Sequence, residues 1–154
     1  MISIRRLAAS ELAEATDVWY RSLAGSIAYM RPEQRRREEG DKGFFREVVA
    51  VTREVWVAVV EGRIVGVLAL DGSEVDRLYV AVEAQCRGVG SELLEHAKSL
   101  RPQGLTLVTH QRNEGARRFY ERHGFVAGKL GLSPPPENEP DVWYTWPGVI
   151  EPRR

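Results

Sequence analysis

The sequence predicts a single α/β (α+β) domain built on one sheet. Three observations predict it. The chain has 154 residues, of which 43% are hydrophobic, a size and composition typical of one globular unit. The spacing of apolar residues changes repeatedly between a period of two and the period of a helix. A pair of β-branched runs near the middle, separated by a glycine-containing turn, indicates an antiparallel hairpin.

The N-terminal part contains a strand and two helices. Residues Ile2–Leu7 alternate like a strand, and a helical pattern runs from Ser10 through Trp19. After a charged stretch, the spacing within Phe44–Val49 suits a second amphipathic helix. The segments EVWVAVV and RIVGVLAL then form the hairpin around Glu61 and Gly62. A third strand, EVDRLYVAV, carries four residues on one face by its period of two: Glu74, Asp76, Leu78 and Val80.

The C-terminal part continues the alternation of helices and strands. We predict a helix from Gly88 to Leu100, a strand at Leu105–Val108 and a helix from Asn113 to His123. A strand begins at Phe125–Ala127, and the last strand is DVWYTW. In that last strand Trp143 and Trp146 are expected to pack in the core, with a pocket or a homodimer contact as the alternative.

Composition excludes several classes of function. Lys plus Arg and Asp plus Glu number 22 each, so no net field favours nucleic acid. The single cysteine, Cys86, excludes an internal disulfide, and three scattered histidines predict no metal site. The apolar runs are too short to cross a bilayer. We therefore expect no nucleic acid, membrane or metal partner, and a cytoplasmic location.

The turn from Gln85 to Ser91 is a candidate anion site, because it lies where a strand ends and a helix begins. Unpaired backbone N–H groups and the positive end of the helix dipole point at one place there. Gly88 and Gly90 let a phosphate approach the backbone, and Arg87 adds a positive charge. The glycines alternatively only let the turn close and the helix pack. Neither a GK[ST] ending nor a GxGxxG pattern is present.

A second segment, from Asn113 to Phe125, forms a helix that stops at Gly124. Asn113 is suited to cap this helix, and it is also placed to contact a ligand. Phe119 is expected in the core. Tyr120 is either a core residue or a phenol that donates a proton to a leaving group.

Together the two segments resemble the GNAT superfamily of N-acyltransferases, over about Glu54 to Phe125. One family motif, [QR]xxGx[GA], matches Gln85, Gly88 and Gly90. The other, NxxAxxFYxxxGF, matches Asn113, Ala116, Phe119, Tyr120, Gly124 and Phe125. The resemblance implies a GNAT-like central sheet that is mixed, mostly antiparallel and splayed. About six to seven strands and about four flanking helices are then expected, in agreement with the element count.

The resemblance also implies acetyl-CoA as co-substrate and a set of residues that bind it. The amides from Cys86 to Ser91 would hold the pyrophosphate, and the main chain of Leu78–Val80 would pair with the pantetheine arm. Tyr120 would be the general acid for the CoA thiolate. Two positions depart from the family pattern, since Cys86 is commonly Gly and Val82 commonly Pro. The predicted cofactor-binding residues are Leu78, Tyr79, Val80, Gln85, Cys86, Arg87, Gly88, Val89, Gly90, Ser91, Asn113 and Tyr120.

An amine that attacks a thioester must lose a proton, so a base is expected near the acetyl group. Glu74 and Asp76 are the catalytic candidates beside Tyr120, with Glu83 or a bound water as alternatives. A backbone N–H near Val80 would polarise the thioester carbonyl. His110 and His123 either shuttle protons or serve a structural role.

The function predicted from the sequence is N-acetyltransfer from acetyl-CoA to a primary amine of a small molecule or protein, directly in a ternary complex. The acceptor pocket is expected between Trp19 and Phe45 and at the loop Ser133–Pro140. One alternative is a non-catalytic acyl-CoA-binding sensor or interaction module. Another is a nucleotide-binding transferase, which lacks its usual lysine and acidic metal ligands here. A homodimer is left open.

Overall fold

The computed structural model describes residues 1–149, and in this part of the chain seven strands form one sheet. Their order across the sheet is β1-β2-β3-β4-β5-β7-β6. Only β4 and β5 are parallel, and every other neighbouring pair is antiparallel. The strands are β1 (Ser3–Arg6), β2 (Glu54–Val60), β3 (Arg63–Asp71), β4 (Glu74–Val80), β5 (Leu105–His110), β6 (Val126–Leu132) and β7 (Pro140–Trp146).

The helices pack on both faces of this sheet. Two neighbouring residues of β4 show it: Tyr79 meets Trp19 of α1 edge-on at 6.4 Å, whereas Val80 faces α4. The helices are α1 (Leu12–Ser26), α2 (Glu38–Phe44), α3 (Ala50–Thr52), α4 (Val89–Leu100) and α5 (Glu114–Arg122). A π-helical turn, Phe45–Val49, joins α2 to α3, so residues 38–52 form one continuous helical segment.

The predicted mixed sheet with four helical segments is confirmed for residues 1–149, as is the hairpin. Its turn residues Glu61 and Gly62 both have positive φ, as a tight hairpin turn requires. The expected alternation along β4 is interrupted, because a bulge places Asp76 opposite no single residue of β3. On β7, Tyr144 is fully buried, but Trp143 is 38% exposed and contradicts the expected core position.

The sheet opens between β4 and β5. Their only register pair is Glu74 with Thr106, and the Thr106 N–H donates to Ser73 O at 3.0 Å. Beyond this vertex the two strands diverge, so their carboxyl-terminal ends border an open space. This opening is the splay that the family resemblance predicted. None of the helices in residues 1–149 is both long and apolar enough to cross a membrane.

Candidate active site

The opening between β4 and β5 continues into a cleft of about 1490 Å³. One wall is formed by β4, the turn after it and the first residues of α4, and another by the end of β5 and by α5. The far end reaches α1 and the segment that precedes β7. The cleft therefore contains both sequence motifs and the predicted acceptor region in one continuous space.

The main chain of Val80 faces this opening. The Ala81 N–H donates to Val65 O of β3 at 2.8 Å, so the polar groups of Val80 point the opposite way. Its carbonyl accepts from Ser22 Oγ at 2.7 Å and from Gln85 Nε2 at 3.1 Å. Its N–H points to the side where β5 has already moved away. An N–H with this direction is the group that the sequence assigned to polarising a carbonyl.

Several backbone amides at the start of α4 have no hydrogen-bond acceptor within the helix. Gly88, the N-cap residue, has φ of 84°, a conformation that favours glycine. The first helical bond is donated by Glu92 to Gly88 O at 3.0 Å, so the amides of Val89, Gly90 and Ser91 precede it. No side chain among the described residues caps the N-terminus of α4 at Gly88. The arrangement has the properties of an anion site.

The small residues of this turn have different environments. A Cβ at Gly90 would lie 3.4 Å from Phe119 Cζ and 3.6 Å from Val80 Cγ2, which are ordinary van der Waals distances, so the packing of α4 does not by itself require glycine there. Cys86 is exposed and has φ of 64°, the conformation for which the family commonly uses glycine. The structure thus gives a physical reason for that family preference.

Four residues of the second motif line the cleft, namely Asn113, Ala116, Phe119 and Tyr120. Asn113 caps α5, since its Oδ1 accepts from the Ala116 N–H at 3.1 Å. Tyr120 is only 9% exposed and packs edge-on against Phe125 at 5.7 Å, yet it lines the cleft. Burial raises the pKa of the Tyr120 phenol, with a smaller contribution from Tyr79, so the phenol keeps its proton at neutral pH.

The three carboxylates predicted as bases have different environments. Glu74 is at the closed vertex, where burial first and the charge of Asp76 second raise its pKa. Asp76 is ion-paired, with its Oδ2 3.3 Å from Arg53 Nε. Glu83 is exposed on the turn Val82–Ala84. The structure brings Glu74 and Asp76 to the cleft wall, whereas Glu83 is not among the residues that line it.

A chain of three polar side chains at the far side of the opening was not predicted. Tyr29 Oη lies 2.6 Å from His110 Nδ1, and His110 Nε2 lies 3.0 Å from Glu137 Oε1. All three side chains line the cleft. His110 was noted as a proton shuttle from its place at a strand end. Tyr29 and Glu137 carry no local signal, because only the folded chain brings their distant segments together.

The other histidine of the motif region also has defined partners. His123 Nε2 lies 3.0 Å from Ser91 Oγ, and His123 Nδ1 lies 3.3 Å from Glu95 Oε1. These contacts connect the end of α5 to the first turn of α4. Within residues 1–149, no group of three or more His, Cys, Asp or Glu side chains is arranged to hold a metal ion.

Comparison with protein families and curated proteins gives consistent matches. Residues 52–127 match the model of the acetyltransferase (GNAT) domain. The peptidyl-lysine N-acetyltransferase YjaB of Escherichia coli (strain K12) is 35% identical over 132 residues, which cover 84% of this chain and 86% of that protein.

Solved structures agree with this result. The apo form of YjaB from Escherichia coli superposes with a TM-score of 0.81 and 28% identity, covering 97% of this chain and 99% of that one. The PaiA N-acetyltransferase of Thermoplasma acidophilum, in complex with coenzyme A, has a TM-score of 0.69 and 20% identity. It covers 93% of this chain and 98% of that one, and it supports the fold alone.

Proposed function

Because the chain belongs to the GNAT family of acetyltransferases, we propose that it transfers an acetyl group from acetyl-CoA to a primary amine, directly in a ternary complex. The observation that carries this proposal is the uncapped N-terminus of α4 beside the open edge of β4. A pyrophosphate and an extended pantetheine arm require these two features side by side. The proposal includes a cytoplasmic location, in keeping with a single exposed cysteine.

The residues at this site fit acetyl-CoA. The amides of the turn Cys86–Ser91 would hold the pyrophosphate, with Asn113 positioned across the cleft. Arg87 does not line the cleft, but it is exposed on the same turn and would add positive charge there. The outward-facing groups of Leu78 and Val80 would pair with the amide groups of pantetheine, as a strand would. When bound, acetyl-CoA supplies the thioester that is cleaved. Tyr79 supports this edge rather than pairing with pantetheine, because its backbone groups face β3, where Val67 is its register partner, and its ring packs against Trp19.

Two groups of the chain would act on the thioester. The Val80 N–H would stabilise the negative charge that develops on the carbonyl oxygen, an effect worth about 2.7–4 kcal/mol in comparable sites. Tyr120 would protonate the departing CoA thiolate, since its buried phenol retains its proton at neutral pH.

The carboxylates Glu74 and Asp76 remain proposed bases, and their positions limit how they act. Leu78 is four residues beyond Glu74 along β4, a distance of about 13 Å in an extended strand. An amine that attacks a thioester held by the Val80 N–H is further still from Glu74, so its proton reaches Glu74 only through water. Asp76 is the weaker candidate, because Arg53 already stabilises its charge.

The acceptor proposed here is a lysine side chain, free or in a peptide. This class follows from the name of the relative YjaB, a peptidyl-lysine N-acetyltransferase. The acidic side chains that line the acceptor end of the cleft support a cationic acceptor: Asp41, Glu137 and Asp141. They would attract an ammonium group before its deprotonation.

The first test is isothermal titration with acetyl-CoA, using a Ser91→Glu variant. Position 91 is in the first turn of α4, where a glutamate stabilises the helix dipole by about 0.3–1 kcal/mol. The variant should thus fold normally yet bind acetyl-CoA at least tenfold more weakly, because the new charge opposes the pyrophosphate. Ser99→Glu, which adds the same charge at the other end of α4, should bind like the native chain.

A second measurement separates an enzyme from a binding module. CoA release is followed with an end-blocked lysine peptide and with small primary amines. Turnover supports the transferase, whereas saturable acetyl-CoA binding without turnover of any amine would favour a non-catalytic module. Equal binding by the native chain and by Ser91→Glu would reject the proposed cofactor site.

A further inference from the structure

The side chains of Tyr29, His110 and Glu137 occupy the acceptor side of the opening. In the parallel register of β4 and β5, Glu74 pairs with Thr106, so His110 and Leu78 each lie four residues beyond that pair. His110 is therefore level with Leu78 on the opposite side of the splay. An amine that attacks a thioester held by the Val80 N–H, two residues further along β4, would pass this side of the cleft as it approaches.

The hydrogen bonds of His110 determine its tautomer. The hydrogen bond with His110 lowers the pKa of Glu137, so at neutral pH this carboxylate can only accept. Nε2 of a neutral His110 therefore carries the hydrogen that Glu137 accepts at 3.0 Å. Nδ1 is then left with a lone pair, and the Tyr29 hydroxyl donates to it at 2.6 Å. The three groups form a directed chain that can take up one proton at the Tyr29 end.

A buried acidic side chain lies next to this chain. Asp141 of β7 is the register partner of His110, so both side chains lie on one face of the sheet. It is 8% exposed, and its Oδ1 has no hydrogen-bond partner among the described residues. A Cβ at Gly131 would lie only 2.7 Å from this oxygen. Because this oxygen is enclosed against Gly131, Asp141 would act on an ammonium in the cleft through its charge rather than through a hydrogen bond to Oδ1.

We propose that Tyr29, His110 and Glu137 form the proton relay that deprotonates the acceptor ammonium, and that Asp141 helps to hold that ammonium. This inference rests on the proposed function. The Tyr29 oxygen takes a proton from R–NH3⁺ while its own proton moves to His110 Nδ1. The products are R–NH2 and an imidazolium paired with Glu137. The neutral amine then forms the N–C bond and the C–S bond breaks. Tyr120 donates its proton to the CoA thiolate. The second proton of the amine then passes through water to Tyr120 and restores the phenol.

The charged groups around His110 are compatible with this role. Tyr29 approaches from the turn after α1, Glu137 from the segment before β7, and Asp141 from β7. The guanidinium of Arg112 lies over the Tyr29 ring at 4.7 Å, but it is neutralised by the buried Glu139, whose Oε1 is 2.7 Å away. The other charged groups on this side of the cleft include the carboxylates of Glu137 and Asp141 and the guanidinium of Arg36, which acts on Glu137.

The test measures kcat/KM for acetylation of an end-blocked lysine peptide between pH 6.5 and 10. His110→Gln is expected to lower kcat/KM about 100-fold near pH 7, within the usual range for general base catalysis. The deficit should shrink towards pH 10, because the lysine amine, with a pKa of about 10.4, then supplies its own free base. Tyr29→Phe should give the same pattern, and the double variant should be no slower than either single variant.

Two controls separate a proton relay from a structural role. His96→Gln removes a histidine that stacks on Trp56 away from the cleft, and it should leave the pH profile unchanged. Acetyl-CoA affinity, measured by titration, should be unchanged in His110→Gln. A deficit of equal size at every pH, or a His110→Gln enzyme as active as the native one, would overturn the relay.

A readout independent of turnover is the tautomer of His110. Imidazole ¹⁵N chemical shifts of the native chain should show hydrogen on Nε2 and a lone pair on Nδ1, and Glu137→Gln should reduce this preference. The opposite tautomer in the native chain would reject the relay even if the enzyme is active. Failure of the proposed function has a different signature, namely acetyl-CoA binding without turnover of any amine.

Discussion

Ser91 Oγ lies 3.0 Å from His123 Nε2, so the last residue of the pyrophosphate turn is held by the end of α5. Burial alone would raise the pKa of Glu95, but its hydrogen bonds with His123 and Lys98 outweigh burial and lower it. Glu95 is therefore a carboxylate that orients the His123 ring from its other nitrogen, 3.3 Å away.

This contact predicts a cofactor-binding defect in His123→Ala. Loss of one hydrogen bond that orients Ser91 costs about 1 kcal/mol, which corresponds to roughly fivefold weaker acetyl-CoA binding. Rates at saturating acetyl-CoA should change little, because the His123 side chain contacts Ser91 and Glu95 of α4 and not the groups assigned to acetyl transfer. Titration and steady-state kinetics measure the two effects. A large loss of kcat with unchanged affinity would contradict this assignment.

Cys86→Gly is expected to stabilise the protein and keep it active. Cys86 holds φ of 64°, which costs a residue with a side chain about 1–2 kcal/mol. Glycine removes that cost but adds about 0.5–1 kcal/mol of backbone entropy, so the net gain is at most about 1.5 kcal/mol. Thermal unfolding should show a Tm higher by up to about 6 °C. Cys86→Val, the matched control variant, should unfold at a lower temperature than the native chain. Loss of turnover in Cys86→Gly would instead indicate a covalent role for the thiol.

Tyr120→Phe should lower kcat about 10- to 100-fold with little change in acetyl-CoA affinity, because the thiolate loses its proton donor. Since burial raises the pKa of Tyr120, its ionisation should cause no fall in the native rate between pH 6 and 9. The measurement is the kcat profile over this range for both proteins. An unchanged kcat in Tyr120→Phe would show that water protonates the thiolate.

Glu74→Gln tests a stability effect with a defined sign. Burial raises the pKa of Glu74 above its usual 4.5, so the folded state holds this proton more tightly than the unfolded state. Native stability therefore falls as the pH rises from the unfolded pKa through the folded pKa. The variant lacks this penalty, and its stability relative to the native chain should be greater at pH 8 than at pH 4. Urea unfolding at the two pH values measures the difference.

The same variant also distinguishes the two proposed routes for the amine proton. If the relay through Tyr29 deprotonates the acceptor, Glu74→Gln should lose less than about fivefold in kcat/KM near pH 7, far below the loss usual for a general base. A loss of about 100-fold in kcat/KM would mean that Glu74 is the general base.

Asp141→Asn should weaken acceptor binding while improving stability. Its Oδ1 has no hydrogen-bond partner within residues 1–149, so replacing the charge by a neutral amide removes an unfavourable buried charge. We expect a KM for the lysine peptide about tenfold higher, an unchanged acetyl-CoA affinity and an unchanged or higher Tm. Kinetics and thermal unfolding give both values. A lower Tm with an unchanged KM would mean that Asp141 serves the fold alone.

The order of elements could be predicted because each one has its own period in the sequence. The β2–β3 hairpin and the start of α4 follow from short-range patterns at Glu61–Gly62 and Gln85–Ser91. The position of β7 between β5 and β6 could not be predicted, because it depends on pairing between distant segments.

The candidate site divides in the same way. The turn at Gly88 and the cap at Asn113 are local features, and both were expected from the sequence. The bulge at Asp76 was not expected, because β3 and β4 must pair before it exists. Tyr29 and Glu137 are 81 and 27 residues from His110, so no local pattern could connect them.

Because β4 and β5 share a single register pair, the polypeptide can be divided into two fragments between these strands. Residues up to Leu100 complete the four strands on one side of Glu74 and Thr106, and the described residues from Leu105 complete the three on the other. The link between them is the short exposed stretch Pro102–Gln103. A chain cleaved there should reassemble from its two fragments, and recovered turnover on mixing would then report whether two proteins fused to those fragments have met.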